Sequence, residues 1–324
     1  MCEMKPQITK DKKFVVIGGG TGIFSVLTGL SARFNDVTAV VTMADDGGSA
    51  GVLREEFGML PPGDVRRAIV ALGRTDNKVL SELFNYRFEE GAGLVGHSFG
   101  NLLLTALERI TGSFPDAISA ASEILAVRGR VLPVTLASTR LYAELEDGHI
   151  VKGETNIDIP KHDGRLRIKR VWLSPKASLN PDVRRAIRDA DAVVIGPGDL
   201  YTSIIPNVVV GGMREALART KAKKIYITNI VTKFGETNHF AASEFVRMLE
   251  LYTGKGVLDY VIANKRRPTL TRMKPYLAEG ANLVELDAEN FNADPTLIAA
   301  DVIRAKGLVR HDPKKIASTI ARLV

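Results

Sequence analysis

An apolar run, Phe14-Val-Val-Ile17, stops at Gly18-Gly-Gly-Thr-Gly22, and no other feature of the chain constrains its fold as strongly. A short apolar run closed by glycines reads as a buried strand. Residues Ile23 to Leu30 follow with helical spacing and end near Ser31. A second apolar run, Val37-Thr-Ala-Val-Val-Thr-Met43, is closed by Asp45-Asp46-Gly47-Gly48-Ser49. Strand, helix and strand, with both strands apolar on both faces, imply a parallel βαβ unit. Similar strands recur at 192–195, 224–228 and 258–263, with a further candidate at 282–286. Helices are expected over 64–90 and 100–127, punctuated by Gly, Pro and Asn, and at about 181–190, 207–219, 239–253 and 313–322. The middle of the chain differs. Leu141–Glu146 and His149–Lys152 flank Asp147-Gly148, which signals a hairpin with a type I′ turn. Arg165–Leu173 alternates like an antiparallel strand with one wet face, and Trp172 is expected to pack on this β insertion. The expectation is an α/β fold, mostly parallel, with a small antiparallel β insertion at about 131–174.

In open α/β sheets, ligands bind beyond the carboxyl ends of the strands. The loop Gly18, Gly19, Gly20, Thr21, Gly22 lies there, between a strand and a helix. It does not match Gly-x-Gly-x-x-Gly, because Ile23 holds the last position, and it lacks the Lys-Ser/Thr of a P-loop. What remains is a nonstandard phosphate loop whose glycines admit close backbone approach to an anion at a helix N-terminus; a plain strand-to-helix turn is the alternative. Asp45 and Asp46 close the next strand, where carboxylates can hold Mg²⁺, receive a ribose hydroxyl or act as a base, or only cap a solvated turn. In Pro61-Pro-Gly-Asp-Val-Arg-Arg67, Asp64 suits an N-cap. Arg66 and Arg67 then fall in a first turn that disfavours cations unless an anion is near. Ile195-Gly-Pro-Gly-Asp-Leu-Tyr-Thr-Ser203 resembles a second glycine loop on the same edge, with Gly198, Asp199, Tyr201 and Thr202 offered to a sugar, phosphate or base. Asn229 and Asn264 end two further strands.

One motif misleads. Gly96-His-Ser-Phe-Gly100 matches the Gly-x-Ser-x-Gly nucleophile elbow, which needs a strand directly before it. Here Glu89–Val95 reads as loop, so His97, Ser98 and Asn101 are better taken as polar groups facing a cleft. The histidines show no metal-ligand spacing, and the single Cys2 excludes both a disulfide framework and a cysteine zinc site. No metal ligand is therefore assigned. Lys plus Arg number 44 against 37 Asp plus Glu, but the excess is spread out, without an arginine-rich tract, so nucleic acid is not expected. A run of about 18 apolar residues is absent, so no membrane insertion is expected. Met1 to Lys13 is polar and is not read as a signal peptide, and a reducing cytoplasm suits the chain.

Taken together, Gly18–Gly22, Ala44–Ser49, Pro61–Arg66, Gly96–Asn101 and Gly196–Ser203 resemble the YvcK branch of the CofD-like superfamily, whose members are called gluconeogenesis factors. The likeness runs from about residue 13 to about residue 315. It implies a CofD-like, Rossmann-related three-layer αβα fold, read as a single domain over 13–324 after a frayed start at 1–12. It implies a cytoplasmic bacterial regulator of carbon metabolism, cell shape and cell-wall synthesis that binds UDP-N-acetylglucosamine or UDP-glucose and requires no cofactor. An unidentified protein partner and a homo-oligomer are expected. Tyr276 and Arg310 look structural by sequence logic alone; with Leu308–Asp312 they resemble the family's nucleotide-sugar end. The alternative is the sister branch's chemistry, an Mg²⁺-dependent transferase acting on a nucleotide diphosphate adduct, with Asp45, Asp46 and Asp64 at the metal.

Overall fold

The computed structural model describes residues 12–73, 78–291 and 293–324. Residues 1–11, with Cys2, lie outside the described residues. The strands are β1 (Lys13–Gly18), β2 (Asp36–Val41), β3 (Arg130–Pro133), β4 (Arg140–Leu145), β5 (Ile150–Lys152), β6 (Ile168–Ser174), β7 (Ala192–Ile195), β8 (Lys223–Ile227), β9 (Tyr260–Asn264) and β10 (Thr296–Ala300). The helices that matter first are α1 (Gly22–Ser31), α2 (Gly48–Phe57), α3 (Gly63–Leu72), α4 (Lys78–Asn85), α5 (Phe99–Thr111), α6 (Phe114–Ile124) and α7 (Glu154–Asp158). They are followed by α8 (Pro181–Arg188), α9 (Ile205–Val208), α10 (Met213–Arg219), α11 (Ala242–Thr253), α12 (Leu270–Ala278) and α13 (Pro313–Ala321).

Seven strands form one sheet in the order β10-β9-β8-β7-β1-β2-β3, and every neighbouring pair is parallel. The period of two along β1 builds the layers. Phe14 and Val16 enter a core with α1, α3, α5, α6 and α13, while Val15 and Ile17 enter a second core with β4, β6 and α8–α11. Val16 and Ile17 are completely buried, each worth about 1.5–3 kcal/mol of burial. The small antiparallel sheet, β5-β4-β6, lies in the second outer layer.

Several expected elements differ. Arg130–Pro133 pairs in parallel with β2 as an edge strand, so the insertion begins after 133 rather than at 131. The hairpin turn is not type I′: Gly148 has φ +88°, but Asp147 keeps a negative φ, and Gly148 N–H closes on Leu145 C=O at 3.0 Å. No strand forms at 282–286, where Leu283 makes one antiparallel bridge to Val231; the edge position beside β9 belongs to β10. Trp172 does pack on the insertion, stacked on Tyr142 with ring centroids 5.7 Å apart. Among the described residues no helix is long and apolar enough to cross a membrane.

Candidate functional site

The carboxyl ends of β1, β2, β7 and β8 open on one edge, and the glycine loop lies at their centre. Gly20 has φ +63°, a left-handed conformation that suits glycine. Its N–H donates to Asp64 Oδ1 at 2.9 Å, and the same oxygen accepts from Arg67 Nη1 at 3.1 Å. Asp64 is therefore not the cap of α3. It lies within the first turn, after Pro62, and serves as a clamp on the loop. A Cβ on Gly22 would stand 2.2 Å from the Pro197 carbonyl oxygen, so the two glycine loops touch backbone to backbone. Gly18 packs inside this junction, where a Cβ would meet Ile23 at 2.4 Å. Thr21 precedes α1 without capping it by its side chain, which leaves first-turn N–H groups for an anion.

Two hollows flank the loop. The first, of about 320 Å³, is lined by Gly19, Gly20, Thr21, Gly22, Gly198 and Asp199 on one side. Asn229, Lys233, Tyr276, Arg310 and His311 line the other. Tyr276 is held by Val309, whose N–H donates to its hydroxyl at 3.0 Å, while the exposed Arg310 has no ion-pair partner among the described residues. Asn229 Oδ1 and His311 Nε2 are buried without a hydrogen-bond partner among the described residues. Burial pushes the His311 pKa down to about 4, against a hydrogen bond to the Thr228 backbone, so the ring is neutral at pH 7.

The second hollow, of about 400 Å³, shares Gly20, Thr21, Asp199 and Ser203 with the first and adds Asp45, Asp64, Arg66, Asn101, Glu154, Asp158 and Thr202. Asp45 accepts from Gly47 N–H at 2.9 Å, and burial, followed by the nearby Asp64 charge, pushes its pKa up to about 6. Burial and then the Asp45 and Asp158 charges push Glu154 up to about 9. A carboxyl whose folded pKa exceeds its ordinary value contributes stability that is complete below that value and lost as pH rises through the folded one. Stability should therefore fall between pH 5 and 9. Glu154→Gln should remove part of the loss, raising stability at pH 9 by about 1–2 kcal/mol after allowance for partial exposure. Thermal melts of both proteins across this range check it; equal pH slopes would refute it.

The other expected residues divide. Arg66 is buried and spent on structure, donating to Asn101 Oδ1 at 3.1 Å and Asn85 Oδ1 at 2.6 Å; desolvation lowers its pKa to about 10. Asn101 donates to Ser49 Oγ at 3.1 Å, and His97 Nδ1 backs the same oxygen at 3.1 Å without lining either hollow. Ser98, 1% exposed, caps α5 by accepting the Asn101 N–H at 3.3 Å, which leaves no nucleophile elbow. Asp46 also turns away from the hollows: it accepts the Thr155 N–H at 2.9 Å and pins α7.

The second glycine loop corrects a further expectation. Leu200–Ile204 forms a π-helical turn whose leading donors are already taken. Glu236, 3% exposed, accepts from Tyr201 N–H at 2.9 Å and Thr202 Oγ1 at 3.0 Å. An internal carboxyl group thus takes the donors that an anion would need, and burial, followed by the Asp199 and Asp158 charges, pushes its pKa up to about 8. The Tyr201 ring is 1% exposed, in the core rather than in a hollow. Asn264 donates to the Arg266 carbonyl at 2.7 Å and lines neither hollow. The sequence reading missed Lys233 and Glu236, which both lie in the segment after β8, and Glu154 and Asp158 of the insertion. Among the described residues one acid group suits a cation by spacing: Asp158, Asp199 and Glu236 have oxygens within 4.8 Å of one another. The Lys233 ammonium already stands beside two of them, 3.1 Å from Asp158 and 4.0 Å from Asp199.

Comparison with known proteins agrees with this architecture. The family model described as 2-phospho-L-lactate transferase CofD matches residues 14–303. The gluconeogenesis factor of Bacillus subtilis is 41% identical over 315 residues, covering 96% of this chain and 98% of that protein. The gluconeogenesis factor of Halalkalibacterium halodurans is 42% identical over 315 residues, covering 96% of each. The crystal structure of a UPF0052 family member from Bacillus halodurans superposes with a TM-score of 0.91 at 40% identity, covering 97% of this chain and 99% of that one.

Proposed function

The chain belongs to the CofD family, on its gluconeogenesis-factor branch, and from that premise we propose that it is a nucleotide-sugar-binding regulator that turns nothing over. One observation carries this reading. The N-terminus of α1, without a side-chain cap, opens into the same hollow as Tyr276 and Arg310, which has no ion-pair partner among the described residues. One end of the hollow suits a diphosphate and the other a ring, and its volume lies near that of small-ligand sites. The ligand is a UDP-sugar, UDP-N-acetylglucosamine or UDP-glucose. The protein acts in the cytoplasm, and as a homo-oligomer it passes the ligand signal to a protein partner in carbon metabolism, cell shape and wall synthesis. Against catalysis, Asp46 is committed to α7, and Asp64 to Gly20 and Arg67.

A second reading, a transferase acting on a nucleotide diphosphate adduct, is favoured by Asp45 and Asp64. The Asp64 charge adds to burial in disfavouring the Asp45 carboxylate, which a cation would offset, and Asp45 Oδ2 lies against Gly63, so close that a Cβ there would be 2.7 Å away. Hard carboxylate oxygens of this kind fit Mg²⁺, and these two residues would hold it. Bound there, Mg²⁺ would neutralise charge on a transferring phosphoryl group. Phosphorus NMR of UDP-N-acetylglucosamine with protein and Mg²⁺ separates the readings. The regulator predicts broadened diphosphate resonances of constant total intensity; new phosphate resonances growing with time, the cleaved group passing to water in the absence of an acceptor, would establish turnover and favour the transferase.

A further inference from the structure

Lys233 stands where three parts of the site meet. It lines the first hollow with Gly19–Gly22, and its ammonium lies 3.1 Å from Asp158 Oδ1 and 4.0 Å from Asp199 Oδ2. Asp158 ends α7 in the insertion, and Asp199 leads the Leu200–Ile204 turn. Glu236 completes a trio of acids around it. Desolvation works against the Lys233 charge, but Asp199, Asp158 and Glu236 more than offset it and keep it protonated. The side chain is one-third exposed (34%), which leaves it room to turn. A diphosphate at residues 18–22 would find few cations on this wall: His311 is neutral, Arg310 is one, and Lys233 is already engaged.

We propose that Lys233 is a shared cation, held by Asp158 and Asp199 and claimed by a diphosphate seated at the 18–22 loop, so that ligand occupancy loosens the end of α7 and the exposed Ile159 beside it. The inference rests on the nucleotide-sugar reading and adds a route from the ligand to the surface of the insertion. Loss of the lysine leaves Asp158 facing Asp199, whose carboxylate oxygen lies within 4.8 Å, so its release from the site is favoured by like-charge repulsion. The Asp46–Thr155 bond and the buried Ile157 keep the start of α7 in place, which confines the change to residues after 157. Linkage then requires the reverse effect: weakening the hold of Asp158 on Lys233 must tighten ligand binding.

The test is a four-protein titration with UDP-N-acetylglucosamine: wild type, Asp158→Asn, Lys233→Met and the double variant. Asp158→Asn should bind about fivefold tighter and Lys233→Met about tenfold weaker, and adding Asp158→Asn to Lys233→Met should change affinity by less than about twofold. Equal tightening by Asp158→Asn in both backgrounds would overturn the proposal, because it would report only a removed negative charge. Hydrogen exchange gives a readout on the unmutated protein: the amides of Asp158 and Ile159, the latter bonded to the Thr155 carbonyl at 2.9 Å, should exchange faster with ligand, and unchanged exchange there in a protein that binds would also overturn it. Failure of the wild type to bind at all would overturn the nucleotide-sugar reading first, and this proposal with it.

Discussion

Gly22→Ala should lower the unfolding free energy by about 3 kcal/mol and abolish nucleotide-sugar binding. The added Cβ would lie 2.2 Å from the Pro197 carbonyl oxygen and 2.7 Å from the Gly198 Cα. Both are backbone atoms, so no side-chain rotation relieves the clash, and the two glycine loops have to separate. Overpacking of this kind costs about 1–3 kcal/mol where the surroundings can adjust. The upper end applies here because Gly22 opens α1, which packs on α13 and α3. Separation of the loops also moves the first-turn N–H groups away from the hollow. Chemical denaturation measures the first effect and calorimetry the second; a variant of normal stability would mean that the loops do not touch.

Arg310→Glu should weaken UDP-sugar binding by about a hundredfold while leaving the melting temperature within about 1 °C of wild type. The two readouts part because Arg310 is exposed and has no ion-pair partner among the described residues. Its reversal removes a cation that lines the hollow and places an anion there, without breaking an ion pair among the described residues. Calorimetric titration and a thermal melt of the same preparation decide it. Affinity unchanged by the reversal would place the ligand elsewhere.

The parts of this fold that are legible in the sequence are those buried on both sides. Strands β1, β2 and β7 carry nearly continuous apolar runs, broken only by Thr38 in β2, because helices or a second sheet cover each face. Strand β10 is the sheet edge: Leu297–Ala300 is an apolar run in sequence, yet none of Thr296–Ala300 is fully buried. The apolar residues of 282–286 mislead. Leu283 packs with the satellite cluster of Ile230, Met273, Ile303 and Val309, not within the sheet. At Asp147-Gly148 the dipeptide favours a type I′ turn, but only the glycine adopts the left-handed conformation.

The candidate site shows the same division. Gly18–Gly22 is readable because backbone approach leaves a compositional trace, and Asp45 because it closes a strand. What Asp64 does is not readable, since its partner Gly20 is 44 residues away. Nor can the sequence tell Asp46 from Asp45, because Thr155, whose N–H donates to Asp46, comes from the insertion. Tyr201 has the chemistry of a ligand contact but enters the core, and Glu236 fills the donors that Tyr201 and Thr202 had offered. In each case a partner distant in sequence decides which of two plausible roles a residue takes.

The most direct measurement is calorimetric titration of the purified protein with UDP-N-acetylglucosamine, UDP-glucose, GDP and NAD, each with and without Mg²⁺. A nucleotide-sugar regulator should bind a UDP-sugar at micromolar concentration whether or not the metal is present, with GDP and NAD weaker. Preference for GDP with strict Mg²⁺ dependence would contradict that reading and move the centre of the site to Asp45 and Asp64.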